Sequence, residues 1–438
     1  MGELNRLSAT AAVRKLAARE ITAVSLLRDC LKRIAEREST VHAWTFVDTD
    51  KAMQRARVLD SQAPAGLLHG LPIAVKDLFD TFDMPTCYGS PIYANHRPAA
   101  DAACVALARA AGAIVVGKTV TTEFATFHPG PTCNPHNPMH TPGGSSSGSA
   151  ATVADWMVPL AFGSQTAGSI VRPAAFCGVV GYKPTYSTIN RIGVKMISDT
   201  LDTIGVLARS VPDAALFVAA LSDRRELLIE RPQAGAPRVG VCRTYEWDRA
   251  QPETIAAFED AARRLTLAGA GVRNVALPAQ FAGLVDAQIA IMVCEVAKSL
   301  SHEWFMHRDL LSPEMVAMIE AGLAVTSERY DAARNLARAS RAALSDVFHD
   351  IDVLLAPSAV GEAPAGIEAT GDPLFNRMWT LLRTPCVHLP SGTGPRGLPL
   401  GITIAGPIGA DRATLLAADW IHARIGRLDT EIDSTKGD

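Results

Sequence analysis

Apolar residues recur at helical spacing through much of this chain, and that spacing predicts where its helices lie. Two amphipathic helices are predicted within residues 8–36, where Ser8 and Thr22 stand at positions that suit N-caps. The same periodicity predicts further helices at about 50–59, 102–111, 150–158, 212–221 and 253–267, a mostly helical stretch at 281–349, and a last helix from residue 411.

Shorter apolar runs between those helices predict buried strands. One of them, Leu71–Val75, ends at two charged residues, Lys76 and Asp77. The others lie at 113–116, 238–242, 272–275, 353–355 and 400–404. Because helices and apolar strands alternate, the pattern predicts the α/β class, with a central twisted mixed β-sheet covered by helices on both faces. No linker-like run or internal repeat interrupts the pattern, so we expect a single large domain.

The composition is that of an ordinary globular protein: of 438 residues, 48 % are apolar and 20 % are charged. A net charge of −3 with no block of lysine or arginine indicates neither nucleic acid nor an anionic membrane as partner. The N-terminus lacks a continuous apolar core, and no run of about 18 apolar residues is present, so neither a signal peptide nor a transmembrane helix is expected. The eight cysteines are scattered without a CxxC pair, which favours reduced thiols in a cytoplasmic protein.

Small residues are concentrated in two clusters, at 143–149 and 166–169, with Ser169 lying 24 residues after Ser145. Apolar segments flank both clusters, which argues against a flexible linker. Small residues at such positions indicate that the backbone comes close to another group, here a reacting carbonyl. The first cluster is not a phosphate loop, because no Gly-Lys-Ser/Thr follows it.

A serine in these clusters needs a base before it can act as a nucleophile. The chain has no GxSxG motif, and none of its eleven histidines lies in a recognisable nucleophile context. A lysine can serve as the base when burial lowers its pKa. Lys76, at the end of an apolar strand, is the best candidate. Taken alone, an ion pair of Lys76 with Asp77 or Asp80 is the simpler interpretation.

Three separated blocks resemble the amidase signature family of serine amidohydrolases: GLPIAVKD at 70–77, TPGGSSSGSAA at 141–151 and GSQTAGSIVRPAAFCGVVGYKPT at 163–185. A looser similarity covers nearly the whole chain, including TPCVHLPSG at 384–392 and LPLGITIAGP at 398–407. The resemblance implies the amidase signature fold over residues 1–438. Its parts are then a helical N-terminal part at 1–65, a catalytic core at 66–205, and the remaining sheet and substrate-pocket helices at 206–438.

The resemblance also implies a Ser–cis-Ser–Lys triad, with Ser169 as nucleophile, Ser145 as the proton bridge and Lys76 as the base. The expected reaction is hydrolysis of an amide C–N bond through an acyl-enzyme, with neither metal nor cofactor. The oxyanion hole is expected at the backbone N–H groups of Thr166, Ala167, Gly168 and Ser169.

Two departures from the commonest family pattern bear on the substrate, namely Gln165 in place of Asp and Ala167 in place of Gly. The pattern QTxGSxxRP is similar to a malonamidase branch, in which the arginine at the position of Arg172 binds a substrate carboxylate. An arginine that bonds local carbonyls is an equally good interpretation. The expected substrate-binding residues are Arg172, Ser146, Gln165, Phe124, Phe127 and Trp379.

Other functions fit the same motifs. A carbamate or ester hydrolase would use the same triad, and the amidase component of a glutamyl-tRNA amidotransferase-like complex would act only with partner subunits. Cys133, His136 and His140 have loose metal-ligand spacing, but prolines interrupt it and no fourth ligand is evident. We therefore expect a small-molecule amide or carbamate substrate and, as in many relatives, a homodimer.

Overall fold

The protein is described by a computed structural model that covers residues 3–230, 233 and 235–426. Eleven strands within these residues form one sheet, in the order β1-β3-β2-β4-β6-β5-β10-β11-β9-β7-β8. The strands are β1 (Trp44–Val47), β2 (Pro72–Lys76), β3 (Ile114–Thr119), β4 (Leu160–Gln165), β5 (Val180–Lys183), β6 (Thr203–Ala208), β7 (Arg238–Val241), β8 (Gly271–Asn274), β9 (Val353–Pro357), β10 (Cys386–Thr393) and β11 (Pro399–Ala405).

The sheet is mixed. Strand β2 pairs in parallel with β3 and β4, and β7 pairs in parallel with β8 and β9. The strands between these two groups pair antiparallel, as does β1 with β3. Every residue of β2, β4, β6 and β9 is buried. Because successive residues of a strand point to opposite faces, both faces of the sheet are covered. The predicted α/β class, with one large mixed sheet, is confirmed.

Fourteen α-helices are found in the described part of the chain. They are α1 (Ala9–Ala17), α2 (Ala23–Val41), α3 (Thr49–Asp60), α4 (Ala103–Ala110), α5 (Ser147–Ala154), α6 (Val171–Cys177), α7 (Val211–Ser222), α8 (Pro252–Leu267), α9 (Leu284–Ser299), α10 (Ser301–Met306), α11 (Pro313–Leu323), α12 (Ser327–Val347), α13 (Leu374–Leu381) and α14 (Asp411–Ile425).

The predicted helix starts near the N-terminus are confirmed by their caps. The Ser8 side chain accepts a hydrogen bond from the backbone of Ala11, and the Thr22 side chain accepts one from Ser25. Helix α2 continues to Val41, five residues beyond the predicted end at 36. Helix α5 begins at Ser147 and ends at Ala154, so the segment predicted as helical at 150–158 is shifted toward the small-residue cluster.

Five strands were not predicted from the pattern: β1, β4, β5, β6 and β10. Strands β4 (LAFGSQ) and β5 (VGYK) carry glycine and polar residues, which break the apolar run that marks a buried strand. They are strands because neighbouring strands complete their hydrogen bonding. Strand β1 lies within the N-terminal part expected to be helical and pairs with β3 at the edge of the sheet.

One helical stretch, Ala279–Ser299, is long and apolar enough to cross a membrane by length and composition alone, and 56 % of its most apolar window is buried inside the protein. Helix α9 occupies most of this stretch and packs against α11, α12 and α13. Its apolar surface is therefore that of a core helix.

Two neighbouring parallel strands bring the motif blocks of the sequence to one edge of the sheet. Strand β2 ends at Lys76, and β4 ends at Gln165, directly before the small-residue cluster 166–169. Because β2 and β4 run in parallel, their carboxyl ends lie at the same edge. The cluster at 143–149 joins them there, since α5 begins within it.

Candidate active site

Lys76 is fully buried, and its ammonium nitrogen contacts three serine hydroxyls. The distances from Nζ to the Oγ atoms are 2.8 Å for Ser145, 3.1 Å for Ser146 and 2.9 Å for Ser164. No carboxylate is among its hydrogen-bond partners in the described residues. Burial lowers the pKa of Lys76 to about 7, an effect that the negative charge of Asp202 partly opposes. A substantial fraction of Lys76 is therefore neutral near neutral pH, as a general base must be.

The simpler interpretation of Lys76, an ion pair with Asp77 or Asp80, is wrong. Asp77 pairs instead with Lys118 of the neighbouring strand β3, with 3.0 Å between Lys118 Nζ and Asp77 Oδ1. Asp80 accepts a hydrogen bond from the Tyr88 hydroxyl at 2.7 Å. Both carboxylates are thus occupied elsewhere, and Lys76 is left to the serines.

Ser145 is fully buried and follows a cis peptide bond from Gly144. The Gly144 carbonyl is held by Arg172, whose Nε and Nη2 atoms donate to it at 3.2 Å and 2.7 Å. The Nη1 atom of Arg172 donates to the Gly371 carbonyl at 2.5 Å. A Cβ at Gly144 would lie 2.7 Å from a methyl group of Thr370, so the close packing of this segment requires glycine.

Gln165 organises the turn that carries Ser169. Its Oε1 accepts hydrogen bonds from the backbone N–H groups of Ile170 and Val171, at 2.9 Å and 3.1 Å, where α6 begins. Its Nε2 donates to the Thr380 hydroxyl at 2.9 Å. Both ends of the Gln165 amide are therefore bound within the protein, which places this expected substrate-binding residue in a supporting position.

The turn 166–169, in which the oxyanion hole is predicted and which we therefore call the oxyanion loop, has a one-sided pattern of hydrogen bonding. The backbone N–H groups of Thr166, Ala167, Gly168 and Ser169 have no acceptor among the residues that the structure describes. By contrast, all four carbonyl oxygens of the loop accept a hydrogen bond. The donors are Gln288 Nε2 to Thr166 (3.0 Å), Thr380 Oγ1 to Ala167 (2.8 Å), the backbone N–H of Arg172 to Gly168 (2.8 Å) and that of Ser146 to Ser169 (3.3 Å).

A small cavity lies beside the oxyanion loop. Ser169, Ala167 and Thr166 line one side, together with Arg172. The remaining lining is largely apolar and includes Phe127, Ile197, Met292 and Met318. Its volume of about 20 Å³ accommodates roughly one water molecule. The space next to Ser169 is therefore only large enough for a small group.

The other expected site residues divide into two groups. Phe127 lines the cavity, and Ser146 contacts Lys76. Phe124 and Trp379 are buried, but neither belongs to the lining of this cavity. Phe124 packs edge-to-face against Tyr93, with 6.1 Å between the ring centroids.

The sequence reasoning missed Met292, Met318, Gln288 and Thr380. All four lie on helices. The first three fall in the stretch 281–349, where the pattern predicted helix without showing which face meets the site. Met292 follows Gln288 by four residues on α9, so the two side chains lie on the same face of the helix. This spacing was the one feature of the sequence that could have indicated that they act together.

The cysteine and histidines with loose metal-ligand spacing bond to backbone carbonyls instead. His136 Nε2 lies 2.9 Å from the Cys177 carbonyl, and His140 Nδ1 lies 2.8 Å from the Ala363 carbonyl. Within the described residues, no group of three His, Cys, Asp or Glu side chains is arranged to hold a metal ion.

Residues 25–415 match the family model described as Amidase, and the chain belongs to this family. It is therefore an amidase-family enzyme, a hydrolase that acts on carbon–nitrogen bonds other than peptide bonds.

The alignments with relatives and solved structures cover almost the whole chain. It is 34 % identical over 474 residues to a glutamyl-tRNA(Gln) amidotransferase subunit of Mycobacterium ulcerans (strain Agy99), an alignment that covers 94 % of this chain and 96 % of that protein. A crystal structure of an amidase superposes with a TM-score of 0.88 at 30 % identity, covering 96 % of this chain and 100 % of that one. An inhibitor-bound structure from work on a vestigial protein complex and the origins of an s-triazine catabolic enzyme gives 0.87 at 27 % identity, with the same coverage.

Proposed function

We propose that this enzyme hydrolyses amide C–N bonds with Ser169 as the nucleophile, Ser145 as the proton bridge and Lys76 as the general base. The observation that carries the proposal is the buried contact of 2.8 Å between Lys76 Nζ and Ser145 Oγ, in a site where the pKa of Lys76 falls to about 7. A base needs a pKa near the working pH and a hydrogen bond to the group that it deprotonates. Lys76 meets both conditions.

In the acylation step, Ser169 Oγ attacks the substrate carbonyl carbon and gives its proton to Ser145, while the Ser145 proton passes to neutral Lys76. The tetrahedral oxyanion accepts hydrogen bonds from the free N–H groups of the oxyanion loop. When the C–N bond breaks, the amine leaves with the proton returned by Lys76 through Ser145. Water then attacks the acyl-enzyme by the same route, and Ser169 regains its proton.

The Ser145 and Ser169 hydroxyls share no hydrogen bond among the described contacts of this substrate-free structure. The link between the two segments is made by the backbone, through the Ser146 N–H and the Ser169 carbonyl at 3.3 Å. Catalytic hydrogen bonds are commonly long before substrate binds and shorten in the reacting complex. The proposed relay therefore requires that the two hydroxyls come within hydrogen-bond distance of each other in the reacting complex.

The lining of this cavity, rather than its volume, indicates the substrate, because its apolar side chains favour a neutral amide with an apolar acyl group. Met292 and Met318 contribute adaptable apolar side chains to the lining that Ser169 shares. Arg172, the candidate for a malonamidase-like carboxylate site, uses three nitrogen atoms on the Gly144 and Gly371 carbonyls. Those contacts favour its structural role over recognition of a substrate carboxylate. Carbamates and esters present the same carbonyl and are the alternative substrates.

A second function is favoured by the similarity to the glutamyl-tRNA(Gln) amidotransferase protein, which extends over almost the full length of both chains. In this alternative, the same triad releases ammonia from an amide only when partner subunits have bound. A co-purifying partner that restores turnover would distinguish it from a stand-alone amidase. A homodimer and a cytoplasmic location stay predictions.

The experiment that tests the proposal compares wild type with Ser169→Ala on small apolar amides, carboxylate amides, anilides and aryl carbamates. Ser147→Ala is the matched control, because Ser147 lies in the first small-residue cluster but donates only to the Val120 carbonyl. We expect Ser169→Ala to retain less than about one per cent of the wild-type rate, and Ser147→Ala to stay active. Higher retained activity in Ser169→Ala would exclude Ser169 as the nucleophile.

A further inference from the structure

The oxyanion loop is held from outside by two side chains that are far from it in the sequence. Thr380 lies on α13, and Gln288 lies on α9. Both side chains are buried, and both donate to loop carbonyls, Thr380 to Ala167 and Gln288 to Thr166. No backbone donor among the described residues serves these two carbonyls.

Each of the two donors is itself fixed by a second group. The Thr380 hydroxyl accepts a hydrogen bond from Gln165 Nε2, so its single proton is directed to the Ala167 carbonyl. The Gln288 Oε1 accepts from Arg377 Nη1 at 2.6 Å. Because arginine can only donate, Arg377 sets the orientation of the Gln288 amide and turns its NH₂ group toward the loop.

Holding these carbonyls determines where the next N–H groups point. In a trans peptide the C=O and the following N–H point in opposite directions. The Thr166 carbonyl is thus tied to the N–H of Ala167, and the Ala167 carbonyl to the N–H of Gly168. These are two of the four loop N–H groups that lack an acceptor within the described part of the chain. Donors held in this way need no reorganisation when negative charge develops in front of them.

The packing of Gly168 supports the same role for α13. A Cβ at Gly168 would lie 2.4 Å from Asn376 Oδ1 and 2.8 Å from the Pro373 Cβ. The backbone of the loop therefore rests directly on the start of α13, one turn before Thr380. A movement of the loop toward α13 is blocked by this close packing. A movement away from α13 would break the hydrogen bonds from the two side-chain donors.

We propose that Thr380 and Gln288 are positioning residues that preorganise the Ala167 and Gly168 N–H groups for the oxyanion. The proposal rests on the proposed function, since it presumes that the transition state places its oxyanion at this loop. Neither residue belongs to the lining of the cavity, so neither is expected to touch substrate. Their loss should weaken binding of the transition state and leave binding of the substrate almost unaffected.

The experiment uses a matched pair at one position. Thr380→Val keeps the shape of the side chain and removes its donor, whereas Thr380→Ser keeps the donor. We expect Thr380→Val to lower kcat by about tenfold or more with KM within about twofold, because the loss of a full oxyanion donor lowers kcat by about 10²–10³. Thr380→Ser should keep at least about a third of the wild-type kcat, because it retains the hydroxyl donor. If the side chain served only in packing, Thr380→Val, which retains its shape, would be the more active of the two variants.

A second variant tests the other side-chain donor, Gln288. Gln288→Met keeps the length of the side chain and removes its amide, and it should reproduce the fall in kcat without a matching rise in KM. This variant also decides the matter if Thr380→Val does not fold. A wild-type kcat in either variant, a rise in KM at constant kcat, or an equal loss in Thr380→Val and Thr380→Ser would overturn the proposal. Ser169→Ala distinguishes failure of the proposed function from failure of this inference. If Ser169→Ala is inactive while Thr380→Val is fully active, only the positioning role of Thr380 and Gln288 is disproved.

Discussion

Lys76 and Ser145, 69 residues apart in the chain, meet in the buried centre of the site with 2.8 Å between Nζ and Oγ. The contact forms because β2 delivers Lys76 to the sheet edge where the segment before α5 carries Ser145. Neither side chain reaches solvent, so any proton that they exchange moves inside the protein. In the proposed mechanism, the pH at which Lys76 loses its proton then controls turnover.

The pH dependence of the rate follows from the pKa of Lys76. Burial lowers this pKa to about 7, and only the neutral amine can accept a proton. The fraction of neutral Lys76 grows as the pH rises through about 7, so kcat/KM should rise over about pH 6–8 and level off above. A profile of kcat/KM measured from about pH 5 to 9 on a neutral amide checks this. A flat profile would speak against Lys76 as the base.

Asp202 should tune that profile. Its carboxylate raises the pKa of Lys76, so removing the charge with Asp202→Asn should lower the Lys76 pKa and move the acid limb to lower pH. Burial raises the pKa of Asp202 itself to about 6, so the shift should be largest above that pH, where the carboxylate is ionised. Asp199→Asn is the control, because the Asp199 side chain is 91 % exposed and paired with Arg191. An acid limb that stays in place or moves upward would contradict the assignment.

Arg172→Met should destabilise the protein and reduce turnover of neutral and carboxylate amides alike. The substitution leaves the carbonyls of Gly144, which is buried, and Gly371, which is partly exposed, without these donors. The unsatisfied Gly144 carbonyl should cost about 1–3 kcal/mol of unfolding free energy. Urea unfolding and kinetics on a matched pair of neutral and carboxylate substrates provide the measurement. If only carboxylate amides lost activity and stability were unchanged, Arg172 would be a substrate-binding residue of the malonamidase-like type.

Met318→Ala should widen the cavity and shift preference toward bulkier acyl groups. Met318 lies in the cavity wall, and Met315, almost one turn earlier on α11, is buried but outside the cavity lining. Both Met→Ala changes should cost about 2–5 kcal/mol of stability. Only Met318→Ala should raise kcat/KM for a bulky apolar amide relative to acetamide. An equal response of the two variants would place the acyl group elsewhere.

Gly168→Ala should nearly abolish turnover, because its new Cβ would meet Asn376 Oδ1 at 2.4 Å and push the oxyanion loop away from α13. Gly235→Ala, where a Cβ meets nothing within 4 Å, serves as the control. Rates with a neutral amide, together with the melting temperature of each variant, check the expectation. Normal turnover in Gly168→Ala would show that the loop tolerates displacement.

The sequence by itself determined the class of the fold and most of its helices. Helical periodicity depends only on residue spacing, so α3, α4, α7 and α8 could be predicted to within about a residue. Lys76 could be singled out as a candidate base from its place at the end of an apolar strand, and the serines as a group from the two small-residue clusters. The assignment of Ser145 and Ser169 to particular roles rested on the resemblance of the motif blocks to the amidase signature family. Strands such as β4 and β5 escaped prediction because glycine and polar residues interrupt their apolar pattern.

Only the tertiary structure decided which of these residues interact. Whether Lys76 bonds serines or a carboxylate depended on Lys118, which the pairing of β3 with β2 brings to Asp77. The support of the oxyanion loop depended on Gln288 and Thr380, which follow the loop by more than 100 residues. Periodicity shows that a stretch is helical, but the side chains that a helix presents to a distant loop are settled by how the helices pack on the sheet.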